Sequence, residues 1–144
     1  MLSPQHPRTE HLRRSRGAAL VEMAVVTPML ILLVFGVIEA TRMCMVAQLL
    51  TNAAREGCRV AVNNSTTSAN VDARVKATLD ASDTRIYPLI TETLNYPNLS
   101  QARLNTPISL TLSVPFSSVD WLAPPFFFSS RTITATAVML SQRP

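Results

Sequence analysis

The sequence predicts an α+β fold in which one long N-terminal helix precedes a short helix and a small antiparallel sheet. Three observations lead to this prediction. An uninterrupted apolar run lies near the N-terminus, an apolar stripe at helical spacing continues beyond it, and two later segments alternate apolar with polar residues. The length of 144 residues allows one compact domain at most.

The positive charge of the chain is concentrated in its first 17 residues. The whole sequence carries a formal net charge of +4, with 47% hydrophobic and only 15% charged residues. Three of the four net charges lie in residues 1–17, together with both histidines. A basic N-terminal segment followed by an almost neutral chain is typical of a targeting or topology signal. This distribution of charge argues against a nucleic-acid-binding face.

Residues 18–38 form an apolar run in which Glu22 is the single ionisable side chain. About 20 apolar residues span the hydrocarbon core of a bilayer as a helix. The four arginines before the run predict a cytoplasmic N-terminus, so the chain after residue 38 is expected on the outer side of the membrane. The run is longer than the apolar part of a secretory signal peptide, and no small-residue cleavage site follows it.

Glu22 lies about one turn inside this run, where a carboxylate costs free energy, about 2.5–3.5 kcal/mol near the centre of a membrane helix and less near an interface. Either the side chain reaches the headgroup region, or it meets a positive partner within the membrane. Cleavage after Gly17 would create such a partner, because Ala18 would then carry an α-amino group at i, i+4 spacing from Glu22. The pair would form within one chain or between neighbouring subunits.

Two blocks of sequence together resemble a known family. The first block, RSRGAALVEMAVVTPMLILLVFGVIEATR, joins a basic leader ending in Gly17 to Glu22 and the apolar run, and the second is LTNAAREGCRVAV. Over about residues 13–62 they resemble the TadE-like family of minor pilins, or pseudopilins, of tight-adherence (Flp-type) pilus systems. Met23 departs from the family pattern, which commonly has an aromatic residue after the glutamate.

The resemblance implies a pilin-like fold, and processing by a prepilin peptidase between Gly17 and Ala18. It also implies assembly at the bacterial inner membrane with other tight-adherence pilus subunits and inner-membrane assembly proteins. Glu22 would then act in assembly. A glycine before the cut is physically reasonable, because its backbone can approach catalytic groups closely.

The helical pattern continues beyond the apolar run to about Val62. Its apolar stripe packs either on the C-terminal part of the same chain or between subunits. Within the stripe, Ala53 and Gly57 are two small residues four positions apart, which allows another backbone to approach closely. Arg42 is expected on the polar side of this helix. The stripe consists of residues spaced three or four apart: Met43, Val46, Leu50, Ala53, Gly57 and Val60.

Cys44 and Cys58 lie too far apart along one helix for a disulfide, so we expect both to pack as small apolar residues. The alternative interpretation is an intermolecular disulfide outside the membrane. Later in the chain, the aromatic- and proline-rich segment 119–128 predicts either a loop folded over the end of the sheet or an exposed apolar contact patch.

The remaining elements are predicted from periodicity. Four-residue apolar spacing predicts a short helix over residues 69–81, and two prolines bracket a weak strand candidate over 89–95. Alternation predicts strands over 108–114 and near 132–137, each with one polar face. We expect the second helix and the upper part of the first to cover this sheet.

The sequence thus predicts a basic leader (1–17), a membrane-spanning helix (18–38), an extramembrane stalk of the same helix (39–62) and an exported α+β domain (63–144). Without the leader, the chain has no histidine, and it contains neither a glycine-rich phosphate loop nor a recognisable spacing of paired carboxylates. We therefore expect no enzyme activity, cofactor, metal or nucleic-acid partner. Two functions remain: a cleaved minor pilin-like subunit of a pilus or secretion system, or an uncleaved single-span membrane protein with an exported partner-binding domain.

Overall fold

The computed structural model describes residues 8–121 and 127–142, with side chains from residue 17 onward. The chain divides into two compact units, Met1–Ile38 and Glu39–Pro144.

The first unit consists of the N-terminal part of helix α1 (Arg8–Ala61), which also enters the second unit. An 18-residue window of this helix has a mean hydropathy of 2.4, and none of it is buried by other described parts of the chain. The helix continues through Pro28. The hydroxyl of Thr27 donates a hydrogen bond of 2.6 Å to the carbonyl oxygen of Met23. By length and composition, this helix is able to cross a membrane.

The second unit contains the rest of α1, helix α2 (Ser68–Asp80) and the sheet. The predicted stripe of α1 faces its core, since Met43 and Val60 are half-buried and the four stripe residues between them are buried. The apolar residues of α2 lie four apart, as predicted, and all are buried: Val71, Val75 and Leu79.

Strands β1 (Thr91–Leu94), β2 (Pro107–Pro115) and β3 (Thr132–Leu140) form an antiparallel sheet with β2 in the middle. The register places Glu92 opposite Leu112 across the first pair of strands. Strand β2 extends one residue to each side of its predicted segment, and β3 begins where predicted and continues three residues further. Strand β1 occupies only four of the seven residues proposed for it.

Alternation along β2 determines which face of the sheet is covered. Its isoleucine, leucines and valine share one hydrophobic core with the buried residues of α1 and α2. On its other face, the hydroxyl oxygens of Thr111 and Thr136 lie 3.0 Å apart. The structure therefore confirms the α+β fold: a long apolar N-terminal helix, a second short helix and a small three-stranded antiparallel sheet.

Candidate functional site

The residues predicted for processing and assembly lie on the exposed surface of α1. A Cβ placed on Gly17 would have nothing within 4 Å. Ala18 and Glu22 are exposed as well. The bond between Gly17 and Ala18 lies inside α1, so its backbone is helical in this structure.

The second unit begins with two buried charged residues on α1, Glu39 and Arg42. Glu39 is 0% exposed and Arg42 only 8% exposed. Burying a charge costs several kcal/mol unless the charge is paired and hydrogen-bonded. The carboxylate Oε2 of Glu39 accepts a hydrogen bond of 2.9 Å from the backbone N–H of Phe127.

Arg42 joins α1 to two loops of the second unit. Its Nε donates to the carbonyl oxygen of Val119 at 2.9 Å, and its Nη2 donates to Oδ2 of Asp83 at 3.1 Å. The guanidinium carbon also lies 4.8 Å from the ring centre of Trp121, a cation–π contact. These contacts fix the loop after α2 and the segment before β3 to the same turn of α1.

Asp83 is held as a carboxylate by several donors. Burial raises the pKa of this carboxyl group, but the backbone N–H of Arg85 and the guanidinium groups of Arg42 and Arg85 together bring the pKa below its usual value. The Arg85 side chain lies 3.4 Å from Oδ1 of Asp83 and remains 84% exposed. The pair of Arg42 with Asp83 is therefore an ion pair at neutral pH.

This ion pair lies on the wall of an open cavity of about 650 Å³ between α1 and the loop after α2. Its lining combines polar and apolar side chains, including Gln48, Leu49, Asn52 and the exposed Trp121. Among the described residues, no group of three or more potential metal ligands is present. The cavity is thus a mixed surface groove that the structure does not associate with a metal.

The sequence prediction that Arg42 lies on the polar side of α1 is wrong. The side chain is buried because its donors meet Val119 and Asp83, which lie 77 and 41 residues further along the chain. Glu39 and Arg42 are the first two charged residues after the apolar run, at i, i+3 spacing. That spacing is the one sequence signal for a joint role, and it does not identify the partners.

The structure also brings together two carboxyl groups that no sequence spacing indicated. Glu92 on β1 shares a hydrogen bond with Asp72 on α2. Burial, this hydrogen bond and the charge of Asp72 raise the pKa of Glu92 to about 7. The pKa of the neighbouring Tyr87 is raised by burial and by the charges of Asp72 and Glu92. Two carboxyl groups share a hydrogen bond only when one of them holds a proton.

We predict that Glu92→Gln raises the melting temperature at pH 8 and changes it little at pH 5. A carboxyl group with a higher pKa in the folded than in the unfolded state stabilises the fold below its unfolded pKa, near 4.5. This contribution is lost as pH rises through about 7. After allowance for solvent screening, the gain at pH 8 is on the order of 1 kcal/mol.

The measurement is thermal unfolding of the full chain in detergent micelles at both pH values. Glu56→Gln is the matched control, for which we expect the opposite change in stability at pH 8. Hydrogen bonds from Arg74 and Arg59 lower the pKa of Glu56, so its charged form stabilises the fold. Its replacement should therefore lower stability at pH 8, and equal behaviour of the two variants would contradict the prediction.

Ala53 and Gly57, the small pair of α1, pack inside the second unit. Ala53 is 0% exposed. A Cβ on Gly57 would lie 2.5 Å from Cδ2 of Leu110 and 2.7 Å from Cγ2 of Val75. Of the two alternatives for the stripe, the structure thus shows packing on the same chain at this pair.

The two cysteines lie in different surroundings. Cys58 is buried as expected, its Sγ donates to the carbonyl oxygen of Ile108 at 3.4 Å, and burial raises the pKa of its thiol. Cys44 is exposed, so the expected burial is wrong for this residue. Cys44 lies on the side of α1 that faces away from the core, whereas Val46, two residues later, faces the core.

Only part of the aromatic segment 119–128 is described, since residues 122–126 lie outside the described ranges. Phe128 is half-buried, with its ring edge-on to Phe116 at 6.2 Å between ring centres. Trp121 and Phe127 are 58% and 54% exposed. The described part of the segment therefore contributes one ring to the core and presents two on the surface, which combines features of both predicted alternatives.

In the part of the chain that the structure describes, one helix is long and apolar enough to cross a membrane, and a small α+β unit follows it in the sequence. Residues 17–59 match the family model described as TadE-like protein, in agreement with the resemblance seen in the sequence. No curated protein and no solved structure matches the chain. The matched segment covers the apolar part of α1 and most of the helix beyond it, 43 of the 144 residues of the chain. The TadE-like family is a structural, pilus-associated family and is not known to be enzymatic.

Proposed function

We propose that this protein is a minor pilin-like structural subunit that takes part in assembly of a tight-adherence pilus or related secretion system. The match of residues 17–59 to the TadE-like family carries the proposal, because the matched region begins at Gly17 and contains both Glu22 and the apolar helix. The exposed apolar surface of that helix supports it, since such a surface packs equally well on lipid and on neighbouring subunits.

In this proposal a prepilin peptidase cuts between Gly17 and Ala18. Residues 1–17 stay in the cytoplasm, as the clustered arginines predict, and residues 39–144 are exported across the inner membrane. The open space around Gly17 supports access of the enzyme. Because the bond lies within α1, the peptidase must unwind the helix locally before it binds an extended backbone.

The new N-terminus gives Glu22 a partner. After the cut, the α-amino group of Ala18 carries a positive charge four residues before the carboxylate, and the two charges offset each other within the membrane. A carboxylate at this depth otherwise costs up to about 2.5–3.5 kcal/mol. Pairing between neighbouring subunits would use the same two groups and so couple processing to assembly.

An uncleaved single-span membrane protein with an exported partner-binding domain is the second candidate. The observation that favours it is the helical backbone at Gly17 and Ala18, since an anchor that is never cut needs no unwinding there. In that case Glu22 has no α-amino partner, and the N-terminal arginines act only as a topology signal. The two candidates therefore differ in the mature N-terminus and in the need for Glu22.

We predict that Glu22→Ala leaves the protein in the membrane and abolishes its part in pilus assembly. The apolar run becomes more hydrophobic, so insertion persists, while the partner of the new α-amino group is lost. We expect at least about tenfold fewer pili, since a tenfold change requires only about 1.4 kcal/mol.

Membrane fractionation and pilus counts by electron microscopy, in a strain that depends on this chain, measure the two effects separately. Glu22→Asp keeps the charge and is the matched control, for which we expect piliation to be largely retained. Normal piliation with Glu22→Ala would contradict the pairing, and loss of the protein from the membrane would contradict the role assigned to Glu22.

A further inference from the structure

The outer edge of strand β3 is open in the described part of the chain, because β3 pairs with β2 on one side and with no other described strand. Two hydrogen bonds just beyond the ends of β3 show which of its residues face β2. The N–H of Phe116 donates to the carbonyl oxygen of Arg131, and the N–H of Ser141 donates to that of Thr106, each at 2.8 Å. Alternate residues of a strand direct their backbone groups to opposite sides. The odd-numbered residues of β3 therefore bond to β2, and the even-numbered ones face outward.

Five residues of β3 thus present both a backbone N–H and a carbonyl oxygen at the open edge. Among the described residues, these backbone groups have no hydrogen-bond partner. At about 3.4 Å per residue, the strand forms an edge about 30 Å long. Another extended backbone is the partner that offers donors and acceptors at the same spacing. The five residues are Thr132, Thr134, Thr136, Val138 and Leu140.

This edge lacks the features that usually prevent a strand from pairing with other chains, which are lysine, proline, a bulge or a short length. The sequence of β3, TITATAVML, contains no charged residue, proline or glycine, and its pairing with β2 is regular over all nine residues. The other edge of the sheet differs, since β1 has only four residues, one of which is Glu92. The sheet therefore protects its β1 edge and leaves its β3 edge able to accept a strand.

An apolar groove of about 420 Å³ lies beside the first residues of β3. Its lining includes Met43 and Ala47 of α1, Phe128, and Ile133 of β3. The side chain of Ile133 is buried on the core side of the sheet. In a strand added at the open edge, the residue opposite Ile133 would point to the same side, over the groove. The groove would therefore bury one apolar side chain of the added strand.

A second copy of the chain matches this edge poorly. Strand β3 runs in the same direction as α1, since Ile133 lines the groove with Ala47 and the N–H of Gln142 donates to the carbonyl oxygen of Val62. Two copies paired antiparallel through β3 would point these parts of α1 in opposite directions, which conflicts with anchoring of both chains in one membrane. Pairing of β3 with β1 of a neighbouring copy would engage only four residues. The edge fits an extended segment of a different protein better.

We propose that the open edge of β3 is a binding site for an extended segment of a partner protein, which adds to the sheet as a fourth strand. The segment has about five or more residues, without proline at the positions that face β3. It carries small or β-branched side chains towards solvent and one apolar side chain over the groove at Ile133. The assignment to a different protein rests on membrane anchoring of the chain, and the site requires neither cleavage at Gly17 nor pilus assembly.

The probe is a synthetic peptide with the sequence of residues 131–141 and a lysine tail for solubility. A free peptide is not held by a membrane anchor, so it can pair antiparallel with β3. Pairing centred on Thr136 places Met139 of the peptide opposite Ile133 of the protein, over the groove. The peptide therefore has the backbone and the apolar side chain that the site requires.

Amide hydrogen exchange of the full chain in detergent micelles, followed residue by residue by NMR, detects strand addition directly. We expect the peptide to slow exchange at the five outward amides of β3 at least about tenfold, which requires only about 1.4 kcal/mol. The outward amides of β1, those of Glu92 and Leu94, are the internal control and should not change.

Variants of the protein and of the peptide test the geometry separately. Thr136→Pro removes an outward N–H but no bond to β2, and we expect it to weaken peptide binding at least about tenfold, measured by fluorescence anisotropy. Thr136→Val keeps the N–H and should change the affinity little. In the peptide, where folding of the protein is unaffected, Met139→Lys brings a charge over the apolar groove and should weaken binding. Thr134→Lys in the peptide faces solvent and should not.

Unchanged exchange at the β3 amides, or equal peptide affinity for Thr136→Pro and Thr136→Val, would overturn the proposal. Slow exchange at these amides before the peptide is added would do so too, because another part of the chain would then already cover the edge. Failure of any of these tests leaves the mature N-terminus, and with it the proposed function, untouched.

The variant C44S/T136C tests a second copy as the occupant, in membranes treated with a mild oxidant. Antiparallel pairing of two β3 strands about Thr136 would bring the two introduced cysteines to about 5.5 Å between Cα atoms, within reach of a disulfide. We expect the chain to remain uncrosslinked. A disulfide-linked dimer would assign the edge to self-association and overturn the choice of partner.

Discussion

Replacing Arg42 with methionine is expected to lower the free energy of unfolding of the second unit by about 3 kcal/mol. Methionine retains much of the apolar stem of Arg42 but has no donors. The carbonyl oxygen of Val119 and the carboxylate of Asp83 then lose their bonds of 2.9 and 3.1 Å, and Trp121 loses its cation–π contact. Removing one partner of a buried ion pair costs about 3–5 kcal/mol. We expect the lower end, because the Asp83 side chain is 17% exposed and keeps its bonds to Arg85.

Urea unfolding of the full chain in detergent micelles, followed by circular dichroism, measures this loss. Arg59→Met is the matched control, since Arg59 also pairs from α1 with a carboxylate, at 2.8 Å, but its side chain is 65% exposed. Exposed pairs contribute about 0–1 kcal/mol. Adding Asp83→Asn to Arg42→Met should restore part of the stability, because the uncompensated charge is removed. Equal losses for the Arg42 and Arg59 variants would contradict the structural role of Arg42.

Replacing Gly57 with valine is expected to lower the free energy of unfolding by about 3 kcal/mol, the upper end of the usual cost of overpacking. The first added carbon would already approach Leu110 to 2.5 Å and Val75 to 2.7 Å. Both neighbours are 0% exposed, so neither can move into solvent. Gly57→Ala should cost less, because the gain in helix propensity of about 1 kcal/mol offsets part of the strain.

The same unfolding measurement applies, with Asn52→Val as the control. Asn52 is exposed and lies five residues earlier on α1, where a valine meets no core side chain. We expect a change within about 0.5 kcal/mol there. A Gly57→Val variant that folds with normal stability but fails to assemble pili would show that the glycine packs between subunits instead.

Most of the fold was predictable because its elements have a strong local pattern. The four-residue spacing of Val71, Val75 and Leu79 predicted α2, and alternation predicted β2, since each pattern records one buried face. Strand β1 was the least certain, because its four residues pair only with β2 and contain no long alternation. Its limits are set by partners in space, which a local pattern does not contain.

Some residues of the candidate site were likewise identified from the sequence, whereas others were found only in the structure. The interest in Gly17 and Glu22 follows from their order in the sequence and from the family resemblance. The structure adds that both are exposed and that the backbone at Gly17 is helical. The burial of Arg42 and the pairing of Asp72 with Glu92 could not be predicted, because each depends on a partner at least 20 residues away. A charged residue within a polar-looking helix face gives no local sign that a distant loop covers it.

The mature N-terminal residue tests the central claim most directly, because cleavage after Gly17 separates a pilin-like subunit from an uncleaved membrane protein. The measurement is the intact mass of the full chain, purified from the membranes of a host that contains its prepilin peptidase and of a matched host that lacks it. We expect the chain to begin at Ala18 in the first host and to retain the leader in the second. A chain that retains Gly17 and the preceding arginines in both hosts would contradict the account.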